Sequence, residues 1–207
     1  MITTATPAPP PAPEQAVSEQ AIPARLIREV LNGKPLYYKG YREVLQHRAT
    51  PEEIMGSSDL QSIIVGILYG SLWNKIDRKQ YRLVTSEAGL HLSRGNNLSA
   101  DIAIFDKASL PALKGKYFDV PPKVMIEVDI RIDWDESSEV NYVLEKSQVL
   151  FDFGVERLLW VLTASRKVII LQPGQDAVIT NWSNNVPVLD GCVLNIQTLL
   201  DEEEITF

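Results

Sequence analysis

The hydrophobic period of this chain changes at Tyr81, and that change limits the architectures open to it. Before it, Leu60, Ile63, Ile64, Ile67, Leu68, Tyr69 and Leu72 recur at helical intervals. Ser57 or Ser58, just after Gly56, can cap this helix, which is expected to reach about Lys75. After it, Tyr81–Ser86, Gly89–Ser93 and Ser99–Phe105 read as strands, the last two separated by the turn Arg94-Gly95-Asn96-Asn97. Lys123–Asp129 reads as an apolar strand with an acid in its middle. A long helix is expected from about Glu136 to Phe153, stopped by Gly154 in a left-handed cap. Arg157–Leu162, Lys167–Leu171 and Val178–Asn181 follow as strands, and Gln197–Glu202 as a terminal helical turn. Nearer the N-terminus, Ala24–Leu31 has helical spacing that stops at Asn32-Gly33, and Leu36–Leu45 reads as a hairpin turning at Lys39-Gly40. Thr50-Pro51-Glu52-Glu53 is a capping box with proline in the first helical position. Helices and strands without regular alternation predict a mixed α+β domain of the broad α/β class: a central mixed β-sheet flanked by helices, with an N-terminal hairpin.

Residues 1–22 stand apart. Prolines at 7, 9, 10, 11 and 13 lie among Ala, Thr, Gln and Glu, a composition that cannot bury enough apolar surface to offset its ordering entropy. A disordered Pro/Ala-rich tail is expected there, with one domain over 23–207. Residues 1–23 hold no Lys or Arg and no apolar core of a signal peptide, and the apolar stretch Ile63–Trp73 is too short to span a bilayer. A soluble, cytoplasmic protein without membrane contact is therefore expected. Cys192 is the single cysteine, so no intrachain disulfide can form, and with two histidines it cannot build a Cys/His zinc site. The formal charge of −7 argues against a general nucleic-acid coat, which needs a basic surface. It leaves open an enzyme that meets nucleic acid through bound cations, since a divalent ion reverses the sign of a carboxylate-lined site.

Two acids carry the chemistry. Asp101 opens one apolar run (Ile102-Ala103-Ile104-Phe105), and Glu127 sits inside another (Val124-Met125-Ile126). A carboxylate buried in a strand is costly unless it is paired or bound to metal. Either both are solvated at strand ends, or both face one cation, for which hard oxygen ligands select Mg²⁺ or Mn²⁺. Lys146 lies on or beside the apolar face of the long helix, with Tyr142, Val143, Leu150 and Phe153; it either reaches out to solvent or points into such a site. Asp59 lies in a first helical turn, where an acid is favoured in any case. Trp134, between Asp133 and Asp135, is either a loop anchor or a stacking surface for a base.

Taken together, several segments resemble a known family. They are Leu36–Leu45, Ser57-Ser58-Asp59-Leu60-Gln61, Ser99-Ala100-Asp101-Ile102-Ala103-Ile104, Pro121-Pro122-Lys123-Val124-Met125-Ile126-Glu127-Val128, Glu145-Lys146, and Gly154–Val161. Over roughly residues 24–200 the chain resembles the cyanobacteria-expanded family named "putative restriction endonuclease", of the PD-(D/E)XK nuclease superfamily. The resemblance implies a restriction-endonuclease-like core and a Mg²⁺- or Mn²⁺-dependent phosphodiester hydrolase acting on nucleic acid, DNA rather than RNA. It implies that Asp101 and Glu127 are metal ligands with the Val128 backbone carbonyl, that Lys146 is the catalytic lysine, and that Asp59 matches an acid found on the first long helix; Asp129, a departure from the family pattern, is with Asp59 a candidate for a second ion shell. Ala100 replaces the proline expected before the first acid, and Asp129 occupies the strand position usual for the superfamily lysine. The alternative class is a catalytically inactive nuclease-fold module acting in oligomerisation or partner binding. No helix-turn-helix pair, zinc finger or Lys/Arg cluster is evident, and Gly66 and Gly70 make a small-residue helix face that could meet the chain's own sheet or a second copy in a homodimer.

Overall fold

A computed structural model describes residues 22–129 and 139–207, with the side chains of 139 and 140 left aside. The expected tail and the segment around Trp134 lie outside the described residues. A short 3₁₀ turn (Ala24–Leu26) leads into strand β1 (Ile27–Leu31) and β2 (Lys34–Tyr37). Two small helices follow, α1 (Tyr41–Leu45) and α2 (Pro51–Met55), then the long α3 (Asp59–Lys75). The hairpin β3 (Tyr81–Ser93) and β4 (Asn96–Asp106) comes next, and a 3₁₀ turn at Lys107–Ser109 leads towards β5 (Val124–Val128). Helix α4 (Glu139–Phe153), strands β6 (Arg157–Leu162), β7 (Lys167–Leu171) and β8 (Val178–Asn181), a hairpin of β9 (Val186–Leu189) and β10 (Cys192–Leu194), and α5 (Ile196–Glu202) complete the chain. The fold is mixed α+β, with a mostly antiparallel central sheet.

The N-terminal region corrects two expectations. Residues 27–31 are a strand rather than the end of a helix, and the hairpin turns at Asn32-Gly33, not at Lys39-Gly40. Asn32 and Gly33 both have positive φ (50° and 76°), the geometry that Asn-Gly supplies in a two-residue hairpin turn. Gly40, at φ 88°, precedes α1 instead. The two strands expected at Tyr81–Ser86 and Gly89–Ser93 are one, interrupted by a register shift where Ser86 and Glu87 take positive φ. The β9–β10 hairpin was not anticipated, although Asp190-Gly191 is its turn signal. The capping box on α2, the Ser58 cap on α3 and Gly154 (φ 116°) after α4 are as expected.

The eight-stranded sheet runs β2-β1-β4-β5-β6-β7-β8, with β3 pairing β4. Helix α3, α5 and the β9–β10 hairpin cover one face, where Ile64, Leu68, Leu72, Ile102, Ile104 and Trp182 are buried. Helix α4 covers the other, with Tyr142, Val143 and Leu150 against Met125, Leu158 and Trp160. Strand β3 pairs β4 from Asp106 to Asn96, so β1 and β5 share the opposite edge of β4. On that edge β1 bridges at Asn97, and β5 pairs only with Ile102–Ile104. Among the described residues, Leu98–Asp101 therefore have no strand partner on that side, and the sheet has a gap.

Because α3 sets one wall of this gap through its buried stripe, truncation there should be costly. Leu68→Ala is expected to lose about 2–5 kcal/mol in urea denaturation, against under about 0.5 kcal/mol for an exposed polar change such as Lys75→Gln.

Candidate functional site at a gap in the sheet

The gap is filled by charge. Glu29, Asp101, Glu127 and Lys146 have relative exposures of 3%, 6%, 5% and 2%, and all four lie at or around it. Period-two alternation in β1 turns Glu29 inward with Leu31. Its Oε1 accepts from Ser99 N and Ser99 Oγ, both at 3.0 Å, and from Lys146 Nζ at 2.8 Å. Its Oε2 accepts from the Tyr142 hydroxyl at 2.9 Å. The backbone of β4 that lacks a neighbouring strand is thus satisfied by side chains: Ser99 N–H by Glu29, and Ser99 O by Lys146 Nζ at 3.2 Å.

Lys146 also donates to Glu127 Oε1 at 2.8 Å, so one ammonium bridges two carboxylates. Its Nζ lies 5.7 Å from the Tyr142 ring centre and 5.6 Å from that of Trp160, which adds cation–π attraction. Asp101 meets β5 from the other strand. One step beyond the Ile102↔Ile126 pair the register would set Asp101 opposite Glu127, and like charges there weaken a sheet. The ladder stops, and Asp101 Oδ2 instead accepts from Val128 N at 2.7 Å. Gln61 closes the group: its Nε2 donates to the Val128 carbonyl at 2.9 Å and to Asp101 Oδ2 at 3.3 Å.

The two glutamates are driven apart. Burial alone would raise Glu29, but the Lys146 ammonium, the Ser99 N–H and Arg28 hold it below the usual carboxylate range. Burial pushes Glu127 up to about 7; Lys146 opposes this, while Asp101 and Glu29 add repulsion. Asp101 is also raised by burial, against the Val128 N–H, Arg28, Gln61 and Lys146. Burial would lower Lys146, but Glu127 and Glu29 hold it well above the usual lysine value, so it stays charged. Lys146 bonds two of the three carboxylates and reaches Asp101 only through its field, and Arg28 nearby is itself paired with Glu87 at 3.1 Å.

This deficit of positive charge is what a divalent cation would relieve. The available donors, two carboxylates and the Val128 carbonyl, are hard oxygens that suit Mg²⁺ or Mn²⁺ with water completing the shell. Among the described residues no three His, Cys, Asp or Glu side chains form a metal cluster by themselves, so the carbonyl and water are needed.

Of the expected residues, the structure brings Asp101, Glu127, Lys146 and the Val128 backbone together. Asp59 is exposed and accepts from Leu60 N, away from this group. It falls off the buried stripe of α3, which runs Gln61, Ile64, Leu68, Leu72. Asp129 turns away as well, both oxygens accepting from Thr163, N and Oγ1, at 2.8 Å. Glu29 has no place in the sequence reading, and Gln61 enters it only as the last residue of the motif Ser57–Gln61, without a role at the site. Glu29 needed residues 27–31 to be read as a strand, whereas Gln61 was legible as the polar end of an apolar i, i+3, i+7 stripe.

A cleft of about 650 Å³ opens beside the site, lined by Lys39, Ser58, Gln61, Asp129, Thr163 and Ser165 among others. Among the described residues no helix is long and apolar enough to cross a membrane.

Scans against protein-family models and against curated proteins find no match. Among solved structures, one described as "a putative nuclease belonging to DUF820", from Anabaena variabilis, shares the fold. It superposes with a TM-score of 0.62 over 84% of this chain and 89% of that one, at 14% identity. At that identity the likeness establishes the fold alone.

Two outcomes are expected of the cluster. Glu29→Ala leaves Lys146 short of its best-satisfied partner and should cost about 3–5 kcal/mol, read by urea denaturation. The raised Glu127 makes the unfolded chain lose its proton first, so without divalent ions stability should fall as pH rises from about 4.5 to about 7. The slope from this group should be at most about 1.4 kcal/mol per pH unit. Glu29, being lowered, acts at the acid end: its stabilisation is present above its unfolded value near 4.5 and is lost as pH falls below that. Glu127→Gln should flatten the higher window and leave the acid limb in place.

Proposed function

We propose that this chain is a metal-dependent endonuclease of the PD-(D/E)XK type, hydrolysing phosphodiester bonds of nucleic acid, with DNA as the preferred substrate. One observation carries the reading: Asp101, Glu127 and the Val128 carbonyl meet at a gap in the sheet with a buried, charged lysine beside them. The shared fold with a structure described as a putative nuclease supports it. Asp101, Glu127 and the Val128 carbonyl would hold Mg²⁺ or Mn²⁺. When bound, such an ion polarises a phosphodiester and lowers the pKa of a coordinated water. Lys146, kept protonated by Glu29 as well as Glu127, would stabilise charge that develops on the phosphate. Glu29 acts through Lys146 by fixing its position and charge. The cleft lined by Lys39, Ser58 and Thr163 is the approach for substrate. The acidity of the chain then makes nucleic-acid binding depend on divalent ions.

A second reading is a nuclease-fold module without catalysis, acting in oligomerisation or partner binding. It is favoured by a specific feature: the Gln61 amide already occupies Asp101 and Val128, and every member of the cluster is buried.

Plasmid and oligonucleotide cleavage with Mg²⁺ or Mn²⁺ separates the two. Wild type is expected to cut, and Asp101→Ala and Lys146→Ala to cut more slowly by about 10²-fold or more. Equal cutting by wild type and Asp101→Ala would assign the activity to a contaminant and leave the second reading.

A further inference from the structure

We propose that the Gln61 side-chain amide is a displaceable plug, standing in for a cation at Asp101 and Val128 in the metal-free protein. This rests on the reading that these two residues, with Glu127, hold a divalent ion.

Gln61 Nε2 lies 2.9 Å from the Val128 carbonyl oxygen and 3.3 and 3.5 Å from the two Asp101 carboxylate oxygens. Three acceptors converge on one nitrogen. The amide orientation is fixed by chemistry, because turning the amide oxygen towards a carboxylate and a carbonyl would oppose three acceptors to a fourth. The –NH₂ group thus supplies the partial positive charge that these oxygens require when buried. With the shorter bond from Val128 N–H at 2.7 Å, it explains how Asp101 stays 6% exposed with its carboxylate held by amide donors.

The same nitrogen cannot coordinate a cation, since its lone pair is delocalised into the amide and its hydrogens point at the ligands. An ion bound by Asp101 and the Val128 carbonyl would meet the positive end of the amide dipole, so the side chain has to turn or leave. It has somewhere to go. Gln61 lines the cleft of about 650 Å³, together with Lys39, Ser58 and Thr163. Its backbone does not need to move, because Gln61 N–H remains bonded to the Ser58 hydroxyl at 3.1 Å, at the capped start of a 17-residue helix. Displacement is therefore a change of side-chain torsions alone. The plug lowers the affinity for any ion, and only a cation of high charge density competes well with it. The closed cluster that favours an inactive module is, on this view, the resting state of the ion site.

The test uses the full chain and Mn²⁺ alone as the probe. Wild type, Gln61→Ala and Gln61→Met are titrated by calorimetry and melted in EDTA and in Mn²⁺; the methionine keeps the volume and length of glutamine but cannot donate. Both variants are expected to bind Mn²⁺ on the order of tenfold more tightly than wild type, the worth of a buried hydrogen-bond set. Both are also expected to melt below wild type in EDTA and to gain more from Mn²⁺. In wild type, the Gln61 side-chain NH₂ resonance is expected to shift on adding Mg²⁺. Variants that bind Mn²⁺ with wild-type or weaker affinity overturn the plug while leaving the ion site standing. Failure of all three proteins to bind Mn²⁺ overturns the ion site itself. Binding by the variants alone is the plug in its strongest form.

Discussion

A lysine ammonium at 2% exposure is the constraint on which the centre of this fold depends. Burying it is costly, and the cost is offset because Glu29 and Glu127 each approach to 2.8 Å, with Ser99 O as a third acceptor. Those contacts tie together β1, β4, β5 and α4, elements far apart in the chain. The ionic group does the work of a missing strand, since it supplies partners to β4 where neither β1 nor β5 reaches. A gap in a sheet filled with apolar side chains would leave the Ser99 N–H and C=O unpaired.

The charge balance within the gap is uneven, and the unevenness divides the roles. Glu29 has a partner for each oxygen and stays ionised, so it acts as the fixed counter-ion of Lys146. Glu127 shares that lysine, faces Asp101 across the end of a ladder, and is pushed up to about 7. Neighbouring carboxylates held in such different environments are a common mark of a functional site.

Much of this was legible in the sequence where the pattern was long. The stripe of α3, the strand Lys123–Asp129 and the Gly154 stop were read from periodicity, and they fix where Glu127 and Lys146 lie. The resemblance of dispersed motifs singled out Asp101, Glu127 and Lys146, which the structure gathers. Short segments failed. Ala24–Leu31 has too few residues for period two and period 3.6 to be told apart, so β1 and its Glu29 were missed. Asp59 was weighed because it is an acid, yet helical geometry turns Gln61 inward in its stead. Asp129 is bound to Thr163 across the end of the parallel β5–β6 ladder, a contact that no spacing rule announces.

The two functional readings differ in one physical respect, whether a cation can join the oxygens at the gap. A crystal grown or soaked in Mn²⁺ and recorded at an anomalous wavelength tests this most directly. The expected result is an anomalous peak between the Asp101 carboxylate, the Glu127 carboxylate and the Val128 carbonyl, with the Gln61 amide turned into the cleft. A fully closed cluster with no peak, Gln61 Nε2 still bonded to Asp101 and Val128, would contradict it.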